Sequence, residues 1–252
     1  MPDLPRQKKR LDVHLVDAGF FESRARAQAA IRAGAVRVGG VAASKGAMAV
    51  CAGDEIIVAD RQDDFVSRGG VKLSAALDAF DINPQGLVCL DLGASTGGFT
   101  DVLLRRGAAQ VYAVDVGRDQ LHPKLRKDAR VVNLEKTHAK QLTRAAAPKP
   151  FDLIVVDVSF ISLRKVLPYA LPLAARDARL VALVKPQFEV GPENIGKGGL
   201  VRPGRENAEG VVEAIAQWLD ETRQWRVAAS IESPIKGGDG NREFLLAASS
   251  EA

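Results

Sequence analysis

The sequence predicts a Rossmann-like, doubly wound α/β sheet preceded by a small α+β module. Three observations carry that prediction. Seven short apolar runs, Leu87–Leu90, Val111–Val114, Val131–Val132, Leu153–Val156, Leu180–Val184, Val227–Ile231 and Phe244–Ala247, alternate with amphipathic helical patterns. The first fifty residues carry nine Lys or Arg against four acids, whereas the other 202 residues sum to a net charge of −1. Between the two regions runs ADRQDDFVSR (59–68), which is polar and lacks periodicity. The organisation expected is an N-terminal domain over 1–60, a connection over 61–68 and a larger domain over 69–252.

Composition excludes several classes. Of 252 residues, 46% are hydrophobic and 26% charged, with 35 Lys or Arg against 31 Asp or Glu; this is the balance of a soluble globular protein. No apolar stretch approaches the roughly 18–20 residues that cross a bilayer. The start, MPDLPRQKKRLDVHLV, lacks the apolar segment of a secretion signal. Two cysteines, Cys51 and Cys89, cannot build a disulfide framework, so the cytoplasm is the expected compartment and no membrane partner is expected.

In the basic fifth, Leu11, Leu15 and Val16 stand at helical spacing and Gly19 is placed to end that helix. Ser23 is a candidate N-cap for a second helix with Ala27, Ala30 and Ile31 on its apolar stripe and Gly34 at its end. Val36-Arg37-Val38 alternates like a strand, Gly39-Gly40 makes a turn, and Ile56-Ile57-Val58 is a further strand. Arg24 and Arg26 fall in the first turn of the second helix, where a cation opposes the helix dipole. That placement is odd for stability and sensible for gripping phosphate. A basic module on a near-neutral body suits a polyanionic partner.

The segment from Arg10 to Val58, RLDVHLVDAGFFESRARAQAAIRAGAVRVGGVAASKGAMAVCAGDEIIV, resembles the small RNA-binding domain first recognised in a ribosomal small-subunit protein. That resemblance implies an RNA-contacting face and implicates Arg10, Arg24, Arg26 and Lys45.

In the larger domain, most apolar runs are continuous, as in strands covered on both faces. Helical patterns at Phe99–Arg106, Leu163–Leu173 and Asn207–Thr222 lie between them. Ligands of such sheets bind beyond the carboxyl ends of the strands. The first strand runs into Asp91-Leu92-Gly93-Ala94-Ser95-Thr96-Gly97-Gly98-Phe99. Glycines let this backbone turn tightly and approach a ligand, but the spacing is not that of a dinucleotide loop. An acid two residues ahead of the first glycine would repel a pyrophosphate. It suits a ligand bearing an ammonium and a sulfonium, and so favours S-adenosylmethionine over NAD. Asp115, at the end of the second strand, is placed to accept hydrogen bonds from ribose hydroxyls.

Four further residues stand at strand ends or near the sheet: Lys72 in VSRGGVKLSAAL, which leads into a helix, Asp157 after LIVV, Lys185 after LVALV, and Glu243 opening the last strand. A lysine just past a buried strand is stripped of water, which favours the neutral form that can act as a base. The competing reading is a pair of salt bridges holding the sheet edge. The three histidines, His14, His122 and His138, are too scattered for a metal site, and no metal is expected.

From Phe65 onward, VSRGGVKL, LDLGASTGGFTDVLL, VYAVDVG, DLIVVDVSFISL, LVKPQFEVG and GNREFLL resemble the TlyA group of FtsJ-like RNA ribose methyltransferases. The resemblance implies a seven-strand methyltransferase sheet and transfer of a methyl group from S-adenosylmethionine to a cytidine 2′-hydroxyl of ribosomal RNA. It further implies a Lys–Asp–Lys–Glu tetrad at Lys72, Asp157, Lys185 and Glu243. In that scheme Lys185 is the base, Asp157 orients and tunes it, and Lys72 and Glu243 position the ribose. Asp157 also joins the cofactor set. The group is linked by name to haemolysis as well. Two other readings therefore stand beside the enzyme: a membrane-lytic protein, and an RNA-binding ribosome assembly factor with an inactive cofactor domain. A near match to a phosphate-binding loop, Gly191 to Gly198, lacks the Ser/Thr that would hold Mg²⁺ and is expected instead to be a flap over the site.

Overall fold

The computed structural model describes residues 8–21, 23–32, 34–51, 53–58, 65–202, 208–223 and 225–250, apart from the side chains at 26, 208, 209, 222 and 223. The chain divides into two compact units, 1–62 and 63–252.

The N-terminal unit contains β1 (Lys9–Arg10), α1 (Leu11–Asp17), α2 (Arg24–Arg32), β2 (Val36–Val38), β3 (Val41–Ala42), β4 (Ala49–Val50) and β5 (Ile56–Val58). β3, β2 and β5 form one antiparallel sheet, and β1 pairs with β4. Gly39 and Gly40 both have positive φ, 57° and 79°, which closes the two-residue β2–β3 hairpin with the twist its strands need. Leu11, Leu15, Ala27, Ile31 and Val36 make the core of this unit. The short pairings β1–β4 and β2–β3 carry too little apolar alternation to be read from sequence.

The larger unit contains α3 (Gly69–Ala79), β6 (Val88–Leu92), α4 (Gly98–Arg105), β7 (Gln110–Val114), α5 (Pro123–Arg126), β8 (Val131–Leu134), β9 (Phe151–Val156), α6 (Leu163–Ala170), β10 (Ala174–Val184), α7 (Ala208–Arg223), β11 (Trp225–Glu232) and β12 (Phe244–Ser250). Its seven strands run in the order β11-β12-β10-β9-β6-β7-β8. β12 lies antiparallel to both neighbours; the pairings from β10 through β8 are parallel. Alternate strand residues feed two cores. Leu90, Ile154, Leu180 and Leu246 pack with α6 and α7 on one face, and Cys89, Leu153, Val181 and Leu245 with α3 and α4 on the other. Burial on both faces accounts for the uninterrupted apolar runs.

The strand order reverses at β6, which neighbours β9 on one side and β7 on the other. This is the switch point where open α/β sheets leave a crevice. The reversed direction of β12 also has a consequence. Phe244 pairs with Val184, so Glu243, which precedes a strand, sits level with Lys185, which follows one.

The connection expected over 61–68 looks different in its second half. Residues 59–64 lie outside those described, but Phe65 is buried with α3 and α4, and the Val66 amide donates to Asp101 Oδ2 at 3.0 Å. Phe65 to Arg68 therefore pack as part of the larger unit. Lys72 lies within α3, in its first turn and a half.

Candidate active site

Two adjoining cavities open at the switch point. The first, about 300 Å³, is lined by Ser67, Arg68, Gly69 and Lys72 from the start of α3, by Gly93 to Thr96 with Gly98 and Phe99, by Asp157, Ser159 and Lys185, and by Ile235, Lys236 and Gly238. The second, about 340 Å³, is lined by Asp115, Val116, Gln120, Thr137 and His138 together with Leu92, Val114, Val158, Phe160, Ile161 and Val166. Gly93, Ser95, Asp157 and Ser159 line both.

The loop that separates them is held by close backbone packing. Gly93 has φ of 87°, and a Cβ there would strike the Asp157 carbonyl oxygen; only glycine lets the end of β6 pass this near β9. Gly98 opens α4 against Ser67, whose hydroxyl a Cβ would meet. Gly97, counted above among the ligand contacts, does not line either cavity. Its φ of 97° turns the chain into α4, and a Cβ would run into Leu125, so its role is packing.

Asp115 places both carboxylate oxygens on backbone donors: Oδ2 accepts from the Ser95 amide at 2.8 Å and Oδ1 from the Gly117 amide at 2.6 Å. It thereby ties the β6–α4 loop to the β7 loop while still lining the second cavity.

Asp91 corrects the sequence reading. It lies within β6, not in the loop, and alternation turns it beneath α4, fully buried and outside the lining of both cavities. Oδ2 accepts from Thr100 Oγ1 at 2.6 Å, whereas Oδ1 is buried without a hydrogen-bond partner. Burial, partly offset by the Thr100 hydrogen bond and reinforced by the Asp157 and Asp115 carboxylates, pushes its carboxyl up to about 7.

The four residues proposed as a tetrad meet in two pairs. Lys72 Nζ donates to Glu243 Oε2 at 2.5 Å, both groups nearly buried. Lys185 Nζ stands 2.6 Å from Asp157 Oδ1 and donates to Ser159 Oγ at 2.8 Å. These are the pairs that a purely structural role would also form. Lys72, Asp157 and Lys185 line one cavity at the switch point. Buried ion pairs are weak devices for stability and common ones at reaction centres.

Sequence reasoning missed Ser159, Phe160 and Lys236. Phe160 has φ of 63° and is 90% exposed, with its ring 5.1 Å from that of Phe188. An exposed aromatic in a left-handed conformation is a local anomaly, and backbone angles are not visible in a sequence. The segment 191–202 does not line either cavity. Its turns are tied to the loop that precedes β12, with the Asn241 side chain accepting from the Val201 amide and donating to the Gly199 carbonyl.

In the N-terminal unit, Asp12 is fully buried and gathers the cations that were assigned to RNA. Arg10 donates to it through Nε and Nη2 at 3.0 and 2.8 Å, Arg24 through Nη2 at 3.3 Å, and Gln28 at 2.7 Å. The Arg10 hydrogen bonds, and those of Gln28 and Arg24, outweigh burial and hold its carboxyl well below the usual range. Asp12 thus supplies a local reason for Arg24 at a helix start. Both guanidinium groups remain about half exposed. Lys45 is exposed in the turn before β4, and the Arg26 side chain lies outside what is described.

Among the described residues, no group of three or more His, Cys, Asp or Glu is placed to hold a metal, and no helix is long and apolar enough to cross a membrane. Residues 65–250 match the family model described as FtsJ-like methyltransferase, and residues 9–56 that of the S4 domain. The chain is 47% identical to the 16S/23S rRNA (cytidine-2′-O)-methyltransferase TlyA of Mycobacterium tuberculosis, over 95% of this chain and 89% of that one. It is 40% identical to Hemolysin A of Brachyspira hyodysenteriae, over 94% and 98% respectively. A Streptococcus thermophilus protein, solved under a provisional hemolysin name, superposes with a TM-score of 0.70 at 39% identity, covering 97% of this chain and 89% of its own.

Proposed function

The chain belongs to the FtsJ-like methyltransferase family, and on that premise we propose that it methylates the 2′-hydroxyl of a cytidine in ribosomal RNA with S-adenosylmethionine as donor. The observation that carries this reading is the convergence of Lys72, Asp157 and Lys185 on one cavity, next to a second cavity of different character.

The second cavity fits a nucleoside-bearing donor. Its apolar walls, Leu92, Val114, Val158, Ile161 and Val166, suit a flat base, and Asp115 lies at its polar end. Gly93 and Gly98 leave space that a Cβ would fill. When bound, S-adenosylmethionine supplies an activated methyl group on a sulfonium, so the difficult chemistry is the cofactor's own. The protein's task is to align an oxygen with that methyl group and take one proton.

Lys185 is the group placed to take it. Its amino end lines the first cavity; in the neutral form the amine accepts the proton, and Asp157 beside it stabilises the positive charge that results. Lys72, held by Glu243, offers a further donor in the same cavity for a ribose oxygen. Alignment of this kind supplies roughly 7–11 kcal/mol in favourable cases. The exposed ring of Phe160, beside Ser159, is a platform on which an unstacked base can lie. The N-terminal unit, with Arg10, Arg24 and Lys45 exposed, holds the RNA. Work on ribosomal RNA places the protein in the cytoplasm.

The test is to incubate the full chain with methyl-labelled S-adenosylmethionine and ribosomal subunits, and to map ribose methylation on the RNA. Label at a cytidine 2′-oxygen is expected. RNA binding without label overturns the enzyme in favour of an assembly factor, and dye leakage from liposomes without label overturns it in favour of lysis.

A further inference from the structure

The two acceptors beside Lys185 hold it in different ways. Asp157 Oδ1 is 2.6 Å from Nζ, yet this oxygen accepts no hydrogen bond of acceptable angle. The aligned hydrogen bond from Nζ goes to Ser159 Oγ, at 2.8 Å. An ion pair depends on distance and tolerates many orientations, whereas a hydrogen bond weakens steeply as its angle closes. Charge at this amine therefore comes from Asp157 and direction from Ser159.

Resting on the reading above, in which Lys185 takes the hydroxyl proton, we propose that Ser159 is the positioning residue for that proton transfer. By accepting one N–H of Lys185, the Ser159 hydroxyl sets the rotation of the amino group about its Cε–Nζ bond. That choice aims another tetrahedral position of Nζ, the lone pair of the neutral amine, into the cavity that both residues line. The proton then passes from the ribose 2′-oxygen to this lone pair, leaving nitrogen as an ammonium. The oxygen's freed electron pair forms the new bond to the methyl carbon, and the pair of the broken carbon–sulfur bond stays on sulfur. Ser159 is well placed for this because it stands two residues past Asp157, just before the left-handed turn at Phe160. A non-glycine residue is strained in that conformation, so the path of the loop is imposed by its surroundings.

The experiment compares wild type, Ser159→Ala and Ser159→Thr in the full chain. It measures kcat and KM on ribosomal subunits, cofactor Kd by calorimetry and melting temperature. Ser159→Ala is expected to lower kcat about 10- to 100-fold, the scale of a misdirected proton acceptor. Its RNA KM and cofactor Kd should stay within about twofold of wild type. Ser159→Thr, which keeps the hydroxyl, should recover kcat to within about threefold. Alanine activity within twofold of wild type overturns the proposal, as does a loss confined to cofactor Kd with kcat retained at saturation. Equal loss in both variants together with a lower melting temperature also overturns it, in favour of a packing role. Wild type that places no methyl group on a ribose oxygen overturns the preceding reading as well, and needs no variant to show it.

Discussion

Asp12 in the N-terminal unit and Asp91 in the larger unit are both fully buried, and their surroundings drive them in opposite directions. Around Asp12, two arginines and a glutamine converge, and its carboxyl is held far down. Around Asp91, one threonine hydroxyl faces one oxygen, other carboxylates stand nearby, and its carboxyl is pushed up to about 7. Asp12 is covered by its own polar partners, whereas Asp91 lies deep under α4, so depth of burial and partners together decide the charge state. In the small unit the buried Asp12 is fully partnered, and the guanidinium groups of Arg10 and Arg24 stay about half exposed. The larger unit keeps polar atoms short of partners at Asp91 Oδ1 and Asp157 Oδ1, both beside the switch point, as a site prepared for ligands would.

That contrast is open to direct attack. The largest effect belongs to Lys185→Ala, which should lower methyl transfer by about 10²–10⁴-fold while cofactor Kd measured by calorimetry stays near wild type; full turnover would remove Lys185 from the chemistry. Next, Glu243→Gln strands the Lys72 ammonium, only 11% exposed, in a near-buried place. A loss of about 3–5 kcal/mol in denaturant unfolding is expected, because an uncompensated buried charge remains. The raised Asp91 carboxyl predicts a pH effect of defined sign. The folded chain keeps a proton that the unfolded chain has released, so stability is greatest below about pH 4 and falls as pH rises toward about 7. The decline is on the order of 4 kcal/mol at most, and Asp91→Asn should flatten it in melting curves across that window.

Smaller effects probe the other side of the comparison. Asp12→Asn should cost the N-terminal unit about 2 kcal/mol, less than Glu243→Gln, because the half-exposed Arg10 and Arg24 can turn to water. The lowered Asp12 carboxyl contributes stability above about pH 4 that is lost as pH falls, opposite in sign to Asp91. Finally, Arg24→Ala with Arg26→Ala should reduce the slope of log K against log salt for RNA binding by about 2. An unchanged slope would mean that Arg24 serves Asp12 alone.

The central strand runs were legible because strands buried on both faces must be apolar throughout, and each of the seven runs, those of the more exposed edge strands β8 and β11 included, falls within or against an observed strand. The four residues proposed as a tetrad stood out by their resemblance to family motifs, and Asp157, Lys185 and Glu243 also as polar residues bordering such runs. Asp91 was misplaced because a one-residue alternation within β6 decides whether a carboxylate meets the ligand or the underside of a helix. Gly97 was misplaced because a glycine needed for turning and one needed for ligand approach look alike in sequence. Ser159 and Phe160 carried no periodic or charge signal; one is known by its hydrogen bond and the other by its φ.

Local patterning was thus enough to specify a doubly wound sheet, a glycine loop after its first strand and a basic module ahead of it, since helix and strand periods and turn chemistry are written residue by residue. Only the assembled sheet brought Glu243 level with Lys185, because that depends on β12 entering antiparallel beside β10. Only the assembled loops decided which oxygen holds the Lys185 amine by charge and which by direction. Both are matters of register and angle between segments distant in the chain, fixed when apolar faces pack together and not before.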